Sequence, residues 1–136
     1  MNPQTGIALL VTVARAYQAA ITMIENTTPS QVSFLTTEQF RHNVPIILEH
    51  VSLPNPPRIH LTVHNNIHQT YADALEALEA LQALKPTALH VDVTSCTTPM
   101  SIAIWEASKR VGAVVHWIDK TEHGSLIHRL SLPEEE

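Results

Sequence analysis

Apolar residues along the chain come in two rhythms. Residues 7–13 form a short unbroken run, Ile-Ala-Leu-Leu-Val-Thr-Val, whose β-branched members suit a strand covered on both faces, as in a parallel sheet. Residues 31–36, 58–63, 89–93 and 113–118 predict four more strands. Between them the period changes to that of a helix. Residues 17–26 carry Ala20, Ile21 and Ile24 on an Ala-rich face, and residues 69–84 set Leu75, Leu78, Leu81 and Leu84 among glutamates. Thr27-Thr28-Pro29-Ser30 ends the former and Lys85-Pro86 the latter. Thr37 is the expected N-cap of a further helix over 38–50, kinked near Pro45, and residues 99–111 predict another that closes with Gly112 at its C′ position.

Leu53-Pro54-Asn55-Pro56-Pro57 must be a connection, because its prolines remove donors and hold the backbone extended. A loop over 120–124 leads into an antiparallel edge strand over 125–132, where Leu126, His128 and Leu130 alternate with Ile127, Arg129 and Ser131. Pro133-Glu134-Glu135-Glu136 is a solvated tail. Strands alternating with helices predict an α/β fold. The expected architecture is a Rossmann-like three-layer sandwich: a mostly parallel sheet, right-handed crossovers, helices on both faces and a C-terminal antiparallel edge hairpin.

In such a sheet the ligand loops gather at the carboxyl ends of the strands, here residues 12–18, 36–39, 64–67 and 94–101. The fourth is the richest. Leu89-His90-Val91-Asp92-Val93 runs into Thr94-Ser95-Cys96-Thr97-Thr98-Pro99-Met100-Ser101, which puts five hydroxyls around a helix start. The first N–H groups of a helix lack intrahelical partners and carry the positive end of its dipole, so a phosphate fits there. Pro99 suits the first turn, and Thr97 or Thr98 can serve as N-cap. The same residues also read as an ordinary capped helix after an ordinary strand. None of the four loops holds a Gly-rich dinucleotide fingerprint or a P-loop lysine, which argues against nicotinamide and nucleoside triphosphate ligands. Arg15 is the one positive side chain in them, either a ligand contact or a solvated edge residue.

With 136 residues, the chain is expected to be one domain over residues 1–136. Charged residues make up 15%, well below the roughly 25% usual for soluble domains, so part of the surface is expected to be covered by a second copy in a homodimer. A formal net charge of -5 speaks against a general binder of duplex nucleic acid. Nine histidines give no recognisable metal-ligand set: neither the pair His60 and His64 nor the pair His64 and His68 comes with a third or fourth ligand at a known spacing, and no metal is expected. His90, His116 and His128 fall in strands and are expected to be hydrogen-bonded interior or edge groups. Cys96 is the sole cysteine, which excludes an intramolecular disulfide and fits a reduced, cytoplasmic chain; it lacks an identifiable acid partner and reads as a packed side chain rather than a nucleophile. The apolar run over 6–14 is far short of the roughly 18 residues of a membrane span, although a membrane segment on a longer parent polypeptide stays open.

The sequence Asp92-Val93-Thr94-Ser95-Cys96-Thr97-Thr98-Pro99-Met100-Ser101 resembles the Asp-x-Thr-Gly-Gly-Thr-Lys-Pro-Met-like turn of the CRISPR-associated Rossmann fold (CARF) family. Asp92, Thr94, Thr97, Pro99 and Met100 keep the pattern, while Ser95-Cys96 replaces Gly-Gly and Thr98 the Lys. Leu9-Leu10-Val11-Thr12-Val13 and Pro29-Ser30-Gln31-Val32-Ser33-Phe34-Leu35-Thr36-Thr37-Glu38 add to the likeness, which spans nearly the whole chain. The resemblance implies a homodimeric sensor of cyclic oligoadenylate, most often cyclic tetra-adenylate, in type III CRISPR antiviral defence, acting on a fused or partner effector and needing no cofactor. It places the ligand on Thr12, Arg15, Tyr17, Thr37, Asn65, Thr94, Cys96, Thr97, Thr98 and Ser101. Some relatives cleave their ligand as metal-independent ring nucleases, by attack of a ribose 2′-hydroxyl on the adjacent phosphate; the missing Lys at Thr98 weakens that alternative. A small α/β interaction module without a nucleotide ligand is the third class.

Overall fold

Strand β1 (Ile7–Val13) lies inside the sheet, paired in parallel with β2 (Gln31–Thr37) on one side and β4 (Ala88–Asp92) on the other. Outward from β2 comes β3 (Arg58–Thr62), and outward from β4 comes β5 (Val114–Thr121), both parallel to their neighbours. β6 (Gly124–Arg129) closes the sheet antiparallel to β5, giving the order β3-β2-β1-β4-β5-β6. The computed structural model describes residues 6–121 and 124–129. The predicted edge strand is therefore seen over its first five residues, while residues 130–132, the tip of the hairpin loop and the acidic tail lie outside the described part.

The unbroken apolar run of β1 has a direct cause, because both of its faces are covered. Leu9, Val11 and Val13 join Val32 and Phe34 under α1 (Gln18–Thr27) and α2 (Asn43–Leu48). Ala8 and Leu10 join Leu35, Val91 and Val115 under α3 (Ile67–Gln82) and α4 (Thr98–Val111). Helices on both faces of a mostly parallel sheet make the Rossmann-like three-layer sandwich that the alternation of elements predicted.

Two helix starts differ from expectation. Thr37 is not an N-cap: it continues β2 and pairs with Thr62, and tight turns follow, with Phe40 N donating to Thr37 O and Asn43 N to Phe40 O. Only Asn43–Leu48 is helical. Pro45 sits in its first turn, where a missing N–H costs nothing, so it starts the helix instead of kinking it. α3 begins two residues earlier than the leucine pattern indicates, because Asn66 caps it by accepting from Gln69 N at 3.0 Å.

At the far end of α4, Gly112 takes φ +72°, and its N–H and that of Ala113 satisfy the last carbonyls of the helix. A Cβ there would touch nothing within 4 Å, so Gly112→Ala tests the backbone conformation alone. The substitution is expected to lower unfolding free energy by about 1 kcal/mol, measured by urea denaturation.

Candidate functional site

The turn that follows β4 is built around two buried polar side chains. Asp92 is fully buried; one carboxylate oxygen, Oδ1, accepts from the Thr94 N–H at 3.0 Å and from the Thr94 hydroxyl at 2.5 Å, while Oδ2 has no partner. Burial pushes this carboxyl up to about 6 against the pull of those two hydrogen bonds. Thr94 Oγ1 also accepts from Ile118 N at 2.8 Å, which fastens the turn to β5. Thr12, equally buried at the end of β1, donates to the Asp92 carbonyl at 2.9 Å and accepts from Ser95 N at 3.3 Å.

Thr97 then caps α4, its hydroxyl accepting from Met100 N at 3.4 Å, and Pro99 occupies the first turn. Among the described residues, the N–H groups of Cys96, Thr97 and Thr98 donate to no protein atom, so this end of α4 keeps free donors. Burial pushes the Cys96 thiol up to about 12, against hydrogen bonds from the Thr12 and Ser101 side chains. A thiol held protonated in this way packs and does not attack, in keeping with the reading of Cys96 as structural.

The turn forms one wall of a cleft of about 620 Å³ at the carboxyl ends of β1, β2, β3 and β4, with Ile118 of β5 in its lining. Of the ten residues singled out from the sequence, Arg15, Thr37, Thr94, Cys96 and Thr97 line it together. The other five do not. Thr12 is spent inside the turn, and Tyr17 is the residue before α1 and packs on the α1 side of the core. Asn65 and Thr98 are exposed beside the cleft, and Ser101 turns its hydroxyl back to Thr97 O at 3.0 Å. Lining residues not singled out include Gln18, Gln39, Phe40 and His64. All four lie in or next to the loops that the strand-end rule named, so the loops were legible while the individual side chains were not. Arg15 is exposed, forms no ion pair among the described residues, and is the cleft's one permanent cation.

Beyond the turn, His90 of β4 and His116 of β5 lie parallel within 5° and share a hydrogen bond of 2.6 Å between Nδ1 and Nε2. Burial lowers both pKa values, that of His116 to about 4, with Arg129 adding to the effect. They are hydrogen-bonded sheet groups, as their position in strands predicted. His128 is exposed on β6 and stacks on Trp117. Among the described residues no three His, Cys, Asp or Glu side chains are grouped to hold a metal ion, and no helix is long and apolar enough to cross a membrane.

No family model matches the sequence, and no curated protein sequence does. Solved structures do match. Can2 from Sulfobacillus thermosulfidooxidans, in complex with cyclic tetra-adenylate, superposes over 92% of this chain with a TM-score of 0.72 at 16% identity. Csm6 from Enterococcus italicus, bound to cyclic hexa-2′-fluoro-hexa-dAMP, does so over 94% with a TM-score of 0.76 at 12% identity. This chain shares the fold of both ligand-bound proteins. The fold expected from the CARF resemblance is thus the fold these structures share with this chain. Protein VC1899 from Vibrio cholerae has the fold as well, over 95% of this chain with a TM-score of 0.76 at 9% identity. The chain spans 37%, 43% and 34% of the lengths of Can2, Csm6 and VC1899, so the likeness is to one part of larger proteins.

Proposed function

We propose that this chain is a cytoplasmic, homodimeric sensor domain that binds a cyclic oligoadenylate, in the first place cyclic tetra-adenylate, and regulates a fused or partner effector in type III CRISPR defence. The observation that carries this reading is the cleft itself: free N–H donors at the start of α4 and an unpaired Arg15 face the carboxyl ends of the strands, in a fold that Can2 and Csm6 use with cyclic oligonucleotides bound. Supporting a two-fold pair, Ile67 and Ile102 stand 44% and 52% exposed near the N-terminal ends of α3 and α4, helices that follow the carboxyl ends of β3 and β4.

Binding to the native state must raise the melting temperature. At a hundredfold excess over Kd the stabilisation is about 2.7 kcal/mol, a shift of roughly 5–10 °C for a chain of this size. Cyclic tetra-adenylate at that concentration is expected to produce this shift and to leave light scattering at the mass of a dimer. Arg15→Ala, an exposed change, should weaken binding about tenfold with an unchanged melting temperature in the absence of ligand. No shift with cyclic oligoadenylates of any ring size would leave the interaction-module class. Cleavage is expected to be slow, because Thr98 supplies no charge and stands outside the cleft lining. Complete conversion of labelled ligand within about a minute, in the presence of chelator, would turn the assignment to a ring nuclease, its rate set by positioning of the 2′-hydroxyl.

A further inference from the structure

We propose that the cleft is a purine-base subsite in which Phe40 is the stacking platform and the side-chain amides of Gln18 and Gln39 read the edge of adenine. The inference rests on the nucleotide reading above and deepens it by assigning the part of the ligand that this cavity takes. Phosphates are served by Arg15 and the α4 N–H groups, yet the cavity wall is largely apolar, with Val13, Ala19, Met100 and Ile118 around a half-buried Phe40. That lining suits a flat ring. Base-on-aromatic stacking contributes substantially and tolerates sequence, because every base has a π face.

Selectivity needs an edge reader, and the cleft holds two. Gln18 opens α1 and Gln39 precedes Phe40 in the turn after β2, so the two amides arrive from neighbouring loops. Both are exposed, and neither side chain has a hydrogen-bond partner among the described residues. An independent sign of an absent partner is Thr37, which lines the same cleft, is only 9% exposed, and has a hydroxyl bonded to nothing. A carboxamide offers an NH₂ donor beside a carbonyl acceptor, which matches the N7 acceptor and N6 amino donor of adenine. On that same N7 edge hypoxanthine and guanine present O6 and N7, two acceptors, and leave the carbonyl unanswered. Among the described residues no carboxylate lines the cleft to take the N1–H and N2 amino group of guanine.

The test is calorimetric titration of the intact chain with cyclic tetra-adenylate and cyclic tetra-inosinate. The native chain is expected to prefer the adenylate by about tenfold or more. Phe40→Ala should weaken adenylate binding by about tenfold, whereas Phe40→Trp, which keeps a ring, should retain it. The double variant Q18L/Q39L should bring the two ligands within roughly twofold of each other by losing adenylate affinity alone. Adenylate binding that survives Phe40→Ala unchanged, or a preference that survives Q18L/Q39L, overturns the subsite and leaves the sensor reading intact. A native chain that binds neither ring overturns both.

Discussion

Thr12→Val is expected to lower the stability of the protein by about 3 kcal/mol, a large effect for a substitution that keeps the side-chain shape. Its hydroxyl is wholly buried and answers the Asp92 carbonyl, the Ser95 N–H and the Cys96 thiol. Valine leaves each of these without that partner in a dry site, and each orphaned polar group costs about 1–3 kcal/mol. Thr12→Ser, which restores the hydroxyl, should recover most of the loss. Urea denaturation measures both. The ligand affinity of the valine variant should fall as well, because Thr12 holds the turn that carries Thr94 and Thr97 without itself reaching the cleft. A valine variant within about 0.5 kcal/mol of the native chain would show that the turn stands without Thr12.

The second large effect is a pH dependence in which two groups oppose each other. Asp92 has its carboxyl raised from 3.8 to about 6, so between those values the folded chain holds more protons than the unfolded one, and stability falls as pH rises through that window. The size is on the order of 3 kcal/mol, since the group is fully buried. His116 works the other way: its pKa is lowered from 6.5 to about 4, so the folded chain holds fewer protons and stability rises with pH over the same range. Partial exposure makes its share smaller, and His90, lowered in the same direction, adds to it. The charged groups facing this pair are Arg129 across the sheet and Asp92 in register with His116. The native chain should therefore show a shallow profile between pH 4.5 and 7.5. Relative to it, Asp92→Asn should gain about 2 kcal/mol on going from pH 4.5 to 7.5, and His116→Asn should lose stability over the same interval. Urea midpoints that run parallel for all three proteins would refute the assignment of the opposing groups.

Much of the fold was legible because its signals are local. The apolar run of β1, the Gly112 stop and the Thr97 cap each follow from residues within one turn or strand. Thr37 was misassigned as a cap because its conformation is set by pairing with Thr62, a partner twenty-five positions on that no local pattern announces. At the site, the strand-end rule found the right loops, and half of the residues chosen in them do meet in the cleft. Side-chain direction decided the rest: Thr12 points into the turn, where its hydroxyl is a structural tie. Gln18, Gln39 and Phe40 carry no spacing signal. They become a set only when α1 and the turn after β2 are brought side by side.

The position of β1 inside the sheet also sets the order in which the molecule can assemble. As it precedes β4 in sequence, it leaves the ribosome well before that strand, which pairs with its other edge; the Thr12 tie to Asp92 closes over a separation of 80 residues. Among the described strands, only β5 and β6 are joined as a sequence-local hairpin; the other pairings are parallel and need a crossover. Such non-local pairing makes folding slow, and the exposed edge of β1 stays open to wrong partners in the meantime. The cleft, whose walls come from four strand ends and the start of α4, is consequently among the last features to form, and it is complete only after α4 and β5 have been made.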